Sequence, residues 1–210
     1  HSVVLRVSDS GGAFDEQAFA VVVANVNDAP VLAITGTATE DQTLTAAVTD
    51  EDGLGTISYQ WKRAGAAISG ATATTYTLTQ ADGGKAITVT ASYTDALGTD
   101  ESVTSSATAA VANVNDAPVL AITGTATEDQ TLTTVVNDED GLGTISYQWK
   151  RAGAAISGAT ANSYTLTQAD VGSAITVTVS YTDVQGTAES VTSSATAAVE
   201  NVNDSPSGSV

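Results

Sequence analysis

The hexapeptide NVNDAP stands at residues 25–30 and again at residues 113–118, and a near copy, NVNDSP, follows at residues 201–206. The interval is 88 residues both times, and the text between the copies repeats as well, so residues 25–112 lie on residues 113–200 without a gap and with about twelve differences. Self-similarity at a fixed period constrains the architecture before any other feature. A unit of this size can bury a core of its own, unlike the roughly 20–45-residue repeats of a solenoid, so the chain reads as beads on a string. Two whole domains are expected, 25–112 and 113–200. Residues 1–24 read as the C-terminal strands of a preceding, truncated repeat, because VVLRVSDSGG and QAFAVVVANVND parallel ITVTASYTDALG and SVTSSATAAVANVND. Residues 201–210 read as a linker and the start of a following repeat. The segment is thus expected to be a window on a longer array; the alternative is that a neighbouring molecule completes the first hairpin.

Composition narrows the partners. Six basic residues against 24 acidic ones give a formal charge of −18, which argues against nucleic acid or an anionic membrane surface and for bound cations or simple solubility. With no Cys and no Met, neither a disulfide nor a thiolate metal site is available. The apolar runs fall far below the roughly 20 residues of a membrane-spanning helix, so no membrane insertion is expected. Thr, Ala, Val and Ser dominate, which suits strands.

Period-two alternation marks those strands. Ile57, Tyr59 and Trp61 share one face; Leu44, Ala46 and Val48 another; Tyr76 and Leu78 a third; and Ile87, Val89, Ala91 and Tyr93 a fourth. DEDGLG at 50–55, RAG at 63–65, ADGG at 81–84 and DALG at 95–98 supply turns between them. About seven strands per repeat, with turns every 8 to 12 residues, is the pattern of an all-β sandwich. The alternation sends Trp61 and Trp149 into the core; the other reading makes them sugar-binding platforms. His1 is the only histidine and has no catalytic partner in sight.

YQWKRAG followed by YTLTQADGGKAITV resembles an immunoglobulin-like domain, with the Trp where that fold buries one and Asp82 and Gly84 at its fifth-to-sixth strand corner. Two features depart from it: there is no Cys pair, and Ala86 stands where the family usually carries Tyr. The hexapeptide resembles the interdomain linker of cadherins. The whole repeat is similar to the immunoglobulin-like and cadherin-like modules of large calcium-dependent bacterial adhesins of the RTX type, over essentially the full chain. The resemblance implies tandem immunoglobulin-like sandwiches joined end to end by short calcium-binding linkers. It also implies an extracellular place on the bacterial cell surface, where distal domains meet other surface or matrix components.

Strand order also predicts where the acids go. If seven strands alternate in direction, the first-to-second and fifth-to-sixth turns lie at one end of a repeat, and the second-to-third and sixth-to-seventh loops at the other. Glu40 and Asp82 then face the linker Asn113–Asp116 from upstream, and Asp138, Asp140 and Asp183 face it from downstream. With Asn113, Asn115 and Asp116 they form the expected middle site. The first linker, with Asn25, Asn27 and Asp28, keeps only the downstream acids Asp50, Asp52 and Asp95. The last, with Asn201, Asn203 and Asp204, keeps only Glu128 and Asp170. Both are expected to bind more weakly. Unneutralised, two unit charges 4 Å apart repel by about 4 kcal/mol at an effective dielectric near 20, so a cation is expected. Calcium takes roughly six to eight oxygens in flexible geometry, which suits Asp, Glu, Asn and carbonyl groups; magnesium demands a tighter octahedron, and zinc prefers His or Cys. The other reading leaves the acidic loops as solvated turns. The resemblance implies calcium as well.

Three function classes remain. The leading expectation is a structural extender of a long adhesin or fibre, rigidified by calcium. The second is a glycan- or protein-binding sandwich that gains avidity from repeated copies. An enzyme is not expected, because no nucleophile stands beside a base.

Overall fold

The computed structural model describes residues 2–20 and 26–203. The described residues form sixteen strands, and ten of the pairings between them run antiparallel. A first hairpin pairs β1 (Ser2–Ser8) with β2 (Phe14–Ala20). Seven strands follow: β3 (Val31–Thr35), β4 (Thr43–Thr49), β5 (Ser58–Arg63), β6 (Ala66–Ala67), β7 (Thr75–Thr77), β8 (Ile87–Thr94) and β9 (Asp100–Thr104). Seven more repeat them: β10 (Val119–Thr123), β11 (Thr131–Asn137), β12 (Ser146–Arg151), β13 (Ala154–Ala155), β14 (Ser163–Thr165), β15 (Ile175–Thr182) and β16 (Ala188–Thr192). Each set divides into a three-stranded sheet, β3-β4-β7 or β10-β11-β14, and a four-stranded sheet, β6-β5-β8-β9 or β13-β12-β15-β16. This two-sheet division suits an immunoglobulin-type sandwich, with the short fourth strand paired to the third.

By compactness the chain falls into two units. One holds Leu44–Tyr76 and Ile87–Thr108 with the described residues up to Gly36; the other holds Thr37–Thr43, Thr77–Ala86 and the described residues from Ala109 onward. The turns at 37–43 and 77–86 therefore group with the middle linker and the second strand set.

Alternation along the strands is what buries the core. In β15, Ile175, Val177 and Val179 are fully buried and Tyr181 nearly so, while the Thr and Ser between them face the other way. They pack with Leu132, Trp149, Leu166 and Val199, and with half-buried Leu120, Ile122 and Tyr164 from the opposite sheet. The Trp149 indole N–H donates to the Ala161 carbonyl at 2.9 Å, which satisfies the polar atom of a buried aromatic. Its ring centroid lies 5.8 Å from that of Tyr164. Trp61 is equally buried and donates to Ala73 at 2.9 Å. The tryptophans are core residues, as the alternation predicts.

The loop that joins β1 to β2 copies the one that joins β8 to β9. Asp9 Oδ1 accepts the Gly11 and Ala13 N–H groups, both at 2.9 Å, as Asp95 Oδ1 accepts those of Leu97 and Thr99 at 2.8 and 2.7 Å. Val4, Leu5, Val7 and Phe14 of the hairpin are exposed.

Replacing Trp149 by Ala should cost about 3–5 kcal/mol in a urea unfolding experiment, because the cavity cannot close between two paired sheets. An indole quenched by iodide as freely as in a short peptide would contradict the strand phase described above.

Candidate metal centre

The middle linker is delivered by its own backbone. After β9 the chain runs between two turns of the first strand set and pairs with both. Val111 N–H donates to Lys85 and Gly84 N–H to Val111, while Ala112 N–H donates to Ala38 and Glu40 N–H to Ala112, each at 2.9 Å. These parallel bridges fix Asn113 between the turn that carries Glu40 and the turn that carries Gln80. Asp41 adopts left-handed backbone with φ 62, a conformation Asp tolerates better than most residues, and reverses the chain directly after Glu40.

Three carboxylates then converge. One oxygen from each of Glu40, Asp116 and Asp140 lies within 4.8 Å of the others. Glu40 and Asp140 are each 2 % exposed, and Asp116 is half-buried. The three come from a turn of the first repeat, the linker, and the loop between β11 and β12. Glu40 Oε2 accepts the Val114 N–H at 3.2 Å. Asp140 is more heavily supplied: Oδ2 accepts the Asp116 N–H at 2.7 Å, and Oδ1 accepts the side-chain amides of Asn113 at 2.7 Å and Gln80 at 2.9 Å. The amide oxygens of Gln80 and Asn113 are buried without a hydrogen-bond partner.

These surroundings split the three acids electrostatically. Burial pushes Glu40 up; the Val114 N–H offsets part of this, and the charges of Asp116, Asp41 and Asp140 add to it. Asp116 is raised by burial and then by Asp140, Asp41 and Asp138. Burial would raise Asp140 too, but the Asp116 N–H, Asn113 and Gln80 outweigh it and hold that carboxyl below the usual range. The arrangement offers oxygen donors only, and it carries charge that a hard cation would neutralise.

The other residues the sequence assigns to the middle site have partners of their own. Asp138 Oδ1 accepts the Asp140 N–H at 2.9 Å, and its Oδ2 accepts the Tyr181 hydroxyl. Asn115 donates to Glu189 at 2.8 Å. Asp183 is 5 % exposed, with Oδ1 on the Thr187 N–H and Oδ2 buried without a partner. The loop carrying Asp138 and Asp140 lies on the end of β15 through Gly143, where a Cβ would stand 2.0 Å from the Thr182 carbonyl oxygen. Only glycine allows that approach.

The first linker repeats this half. Asp28 N–H donates to Asp52 at 2.7 Å, Asp52 N–H to Asp50 at 2.9 Å, and Asn27 to Glu101 at 2.7 Å. Asp95, like Asp183, keeps one buried oxygen without a partner. At the last linker, Val202 N–H donates to Glu128 at 3.1 Å, and Asn201 and Asn203 are exposed. Asn25 and Asp204 lie outside the described residues.

Asp82 and Asp170 are employed elsewhere. Each is fully buried and sits at the third position of a 3-10 turn, where it accepts the N–H and hydroxyl of the capping threonine, Thr79 or Thr167. Asp170 also takes the Arg151 guanidinium at 2.7 Å and the Tyr164 hydroxyl at 2.9 Å. Burial is again outweighed, first by Arg151, and Asp170 is held below the usual range. The signal was present: Thr-x-x-Asp is the spacing of a capping box, which turns its acid back on the backbone. The residue that reaches the linker from this turn is its neighbour, Gln80. Glu189, Glu101 and Tyr181 were likewise not singled out from the sequence, where they read as strand residues.

Asp170→Ala should cost about 3 kcal/mol in urea, the low end for one member of a buried pair, because Arg151 retains some water. In chelator, stability should also depend on pH in two stages. A carboxyl raised on folding costs stability above its folded pKa, and that cost vanishes as pH falls through it; a lowered carboxyl contributes stability that is lost as pH falls through its folded value. The melting temperature should therefore rise as pH falls from neutral through the raised values of Glu40 and Asp116, and then drop as Asp140 and Asp170 protonate. Glu40→Gln should flatten the rise, and an undiminished rise in that variant would contradict the assignment.

No family model and no curated protein matches the chain. Among solved structures it is similar to three N-terminal domains of the bacteriophage RB49 Highly Immunogenic Outer Capsid protein, with 20 % identity, 82 % of this chain and 59 % of that chain covered, and a TM-score of 0.33. It is also similar to a Ca2+-stabilized adhesin that helps an Antarctic bacterium reach out and bind ice, with 14 % identity, coverage of 95 % and 56 %, and a TM-score of 0.35. A third likeness is to the Clostridium thermocellum CbhA fibronectin(III)-like modules, with 15 % identity, coverage of 81 % and 95 %, and a TM-score of 0.29. The chain thus spans less than two thirds of the phage and adhesin chains.

Proposed function

We propose that this chain is a run of extender repeats from a long bacterial surface adhesin or fibre, working outside the cell and stiffened by calcium at its junctions. The observation that carries this reading is the Glu40, Asp116 and Asp140 cluster, in which a repeat, the linker and the next repeat each contribute one acid. Oxygen donors alone, in irregular geometry, suit calcium. Two of the three carboxyls are raised by burial and by neighbouring carboxylates, so a divalent ion entering there relieves a strain that protons otherwise relieve. Asn113, Asn115, Asp138 and Asp183 belong to the same site in this reading, whereas Asp82 and Asp170 serve the interior of their own sandwiches.

Repeats 25–112 and 113–200 act as separate domains, and the β1–β2 hairpin is the end of a further copy. Near-identity of the copies suits a spacer, whose task is length. The outer faces of the four-stranded sheets carry ladders such as Thr178 with Thr192 and Ser180 with Ser190, which give a sugar ring no aromatic platform.

Calorimetric titration should show calcium uptake in the millimolar range or below, the range of extracellular modules. At a hundredfold excess over its dissociation constant, calcium should stabilise the chain by about 2.7 kcal/mol. Asp138→Ala with Asp140→Ala should abolish the middle site and leave both sandwiches folded. Small-angle scattering should report a change in maximum dimension between calcium and chelator. Absence of uptake would leave the acidic loops as solvated turns and remove this reading.

A further inference from the structure

We propose that Gln80 is a positioning residue for the cation site: it anchors one oxygen of Asp140 so that the other is presented to the ion. This rests on the calcium reading above and adds to it a residue outside the acidic set. A carboxylate has about four lone-pair positions, two on each oxygen. Asp140 Oδ1 has both filled, by Gln80 at 2.9 Å and Asn113 at 2.7 Å, whereas Oδ2 takes the Asp116 N–H and keeps one position open. Rotation of the carboxylate would break two charge-assisted hydrogen bonds, so its orientation is set before any ion arrives. Loss of a partner of this kind around a ligating side chain typically costs roughly 10- to 100-fold in metal affinity.

Gln80 is distinct from Asn113 in origin. Asn113 belongs to the linker and also donates to its neighbour's carbonyl at Val114, at 3.2 Å. Gln80 comes from the 3-10 turn Gln80–Asp82, whose capping box between Thr79 and Asp82 holds that turn rigid. It is therefore the amide through which the fold of one repeat orients a ligand carried by the next. The second repeat supplies an internal comparison. Gln168 occupies the same place in the 3-10 turn Gln168–Asp170, yet donates to Asn201 Oδ1 at 3.1 Å.

The test is a calcium chloride titration of the 210-residue chain by calorimetry, with the backbone amide signals of Val114, Asp116 and Asp140 assigning the uptake to this site. Gln80→Leu should weaken calcium binding there roughly 10- to 100-fold and lower the melting temperature in chelator only modestly, because Asp140 Oδ1 keeps its Asn113 donor. Gln168→Leu should leave the middle site as it is in the unaltered chain. Calcium bound by Gln80→Leu with unaltered affinity, or an equal loss in Gln168→Leu, would overturn the role of Gln80 alone. An unaltered chain that takes up no calcium at these amides would overturn the cation reading and the role of Gln80 with it.

Discussion

Asp140 is a charge almost out of reach of water, and the middle of the chain is organised around keeping it there. A buried carboxylate is tolerable only if its oxygens are supplied with donors. Those of Asp140 receive an amide from a turn of the first repeat, an amide from the start of the linker, and a backbone N–H from its end. Supplying one carboxylate thus requires three segments to arrive at the same place, and the arrival fixes the path of the linker.

Arrival is secured by backbone pairing that involves no acidic side chain. The bridges of Val111 and Ala112 to the two flanking turns aim Asn113, and the close approach of Gly143 to β15 seats the loop that carries Asp138 and Asp140. Both depend on the sandwiches being rigid, which the buried tryptophans and the alternating aliphatic faces secure. The energetic order is therefore hydrophobic core first, backbone bridges second, and charge last.

The charge itself is left unbalanced. Amide donors satisfy Asp140, but burial, with the charges of Asp140 and Asp41, raises both Glu40 and Asp116. Neutral hydrogen-bond donors organise the site, and they do not cancel its net charge.

Much of this was legible in the sequence. The 88-residue period, the period-two faces and the turn residues dictate tandem all-β sandwiches with buried Trp61 and Trp149, because side-chain direction along a strand follows from position alone. Strand direction also assigns each acidic loop to an end of its repeat, since antiparallel order leaves no other choice. The direction of a side chain within a turn is another matter. Asp82 and Gln80 are two residues apart in one turn, yet one is sealed in the sandwich and the other reaches Asp140, sixty residues away. The capping box and the bridges to Val111 settle that difference. The sequence by itself determined which segments carry oxygen donors and at which end of a repeat they lie. The tertiary structure decided which of those donors meet, because orientation in a turn is set by backbone dihedrals and hydrogen bonds to residues far away in the chain.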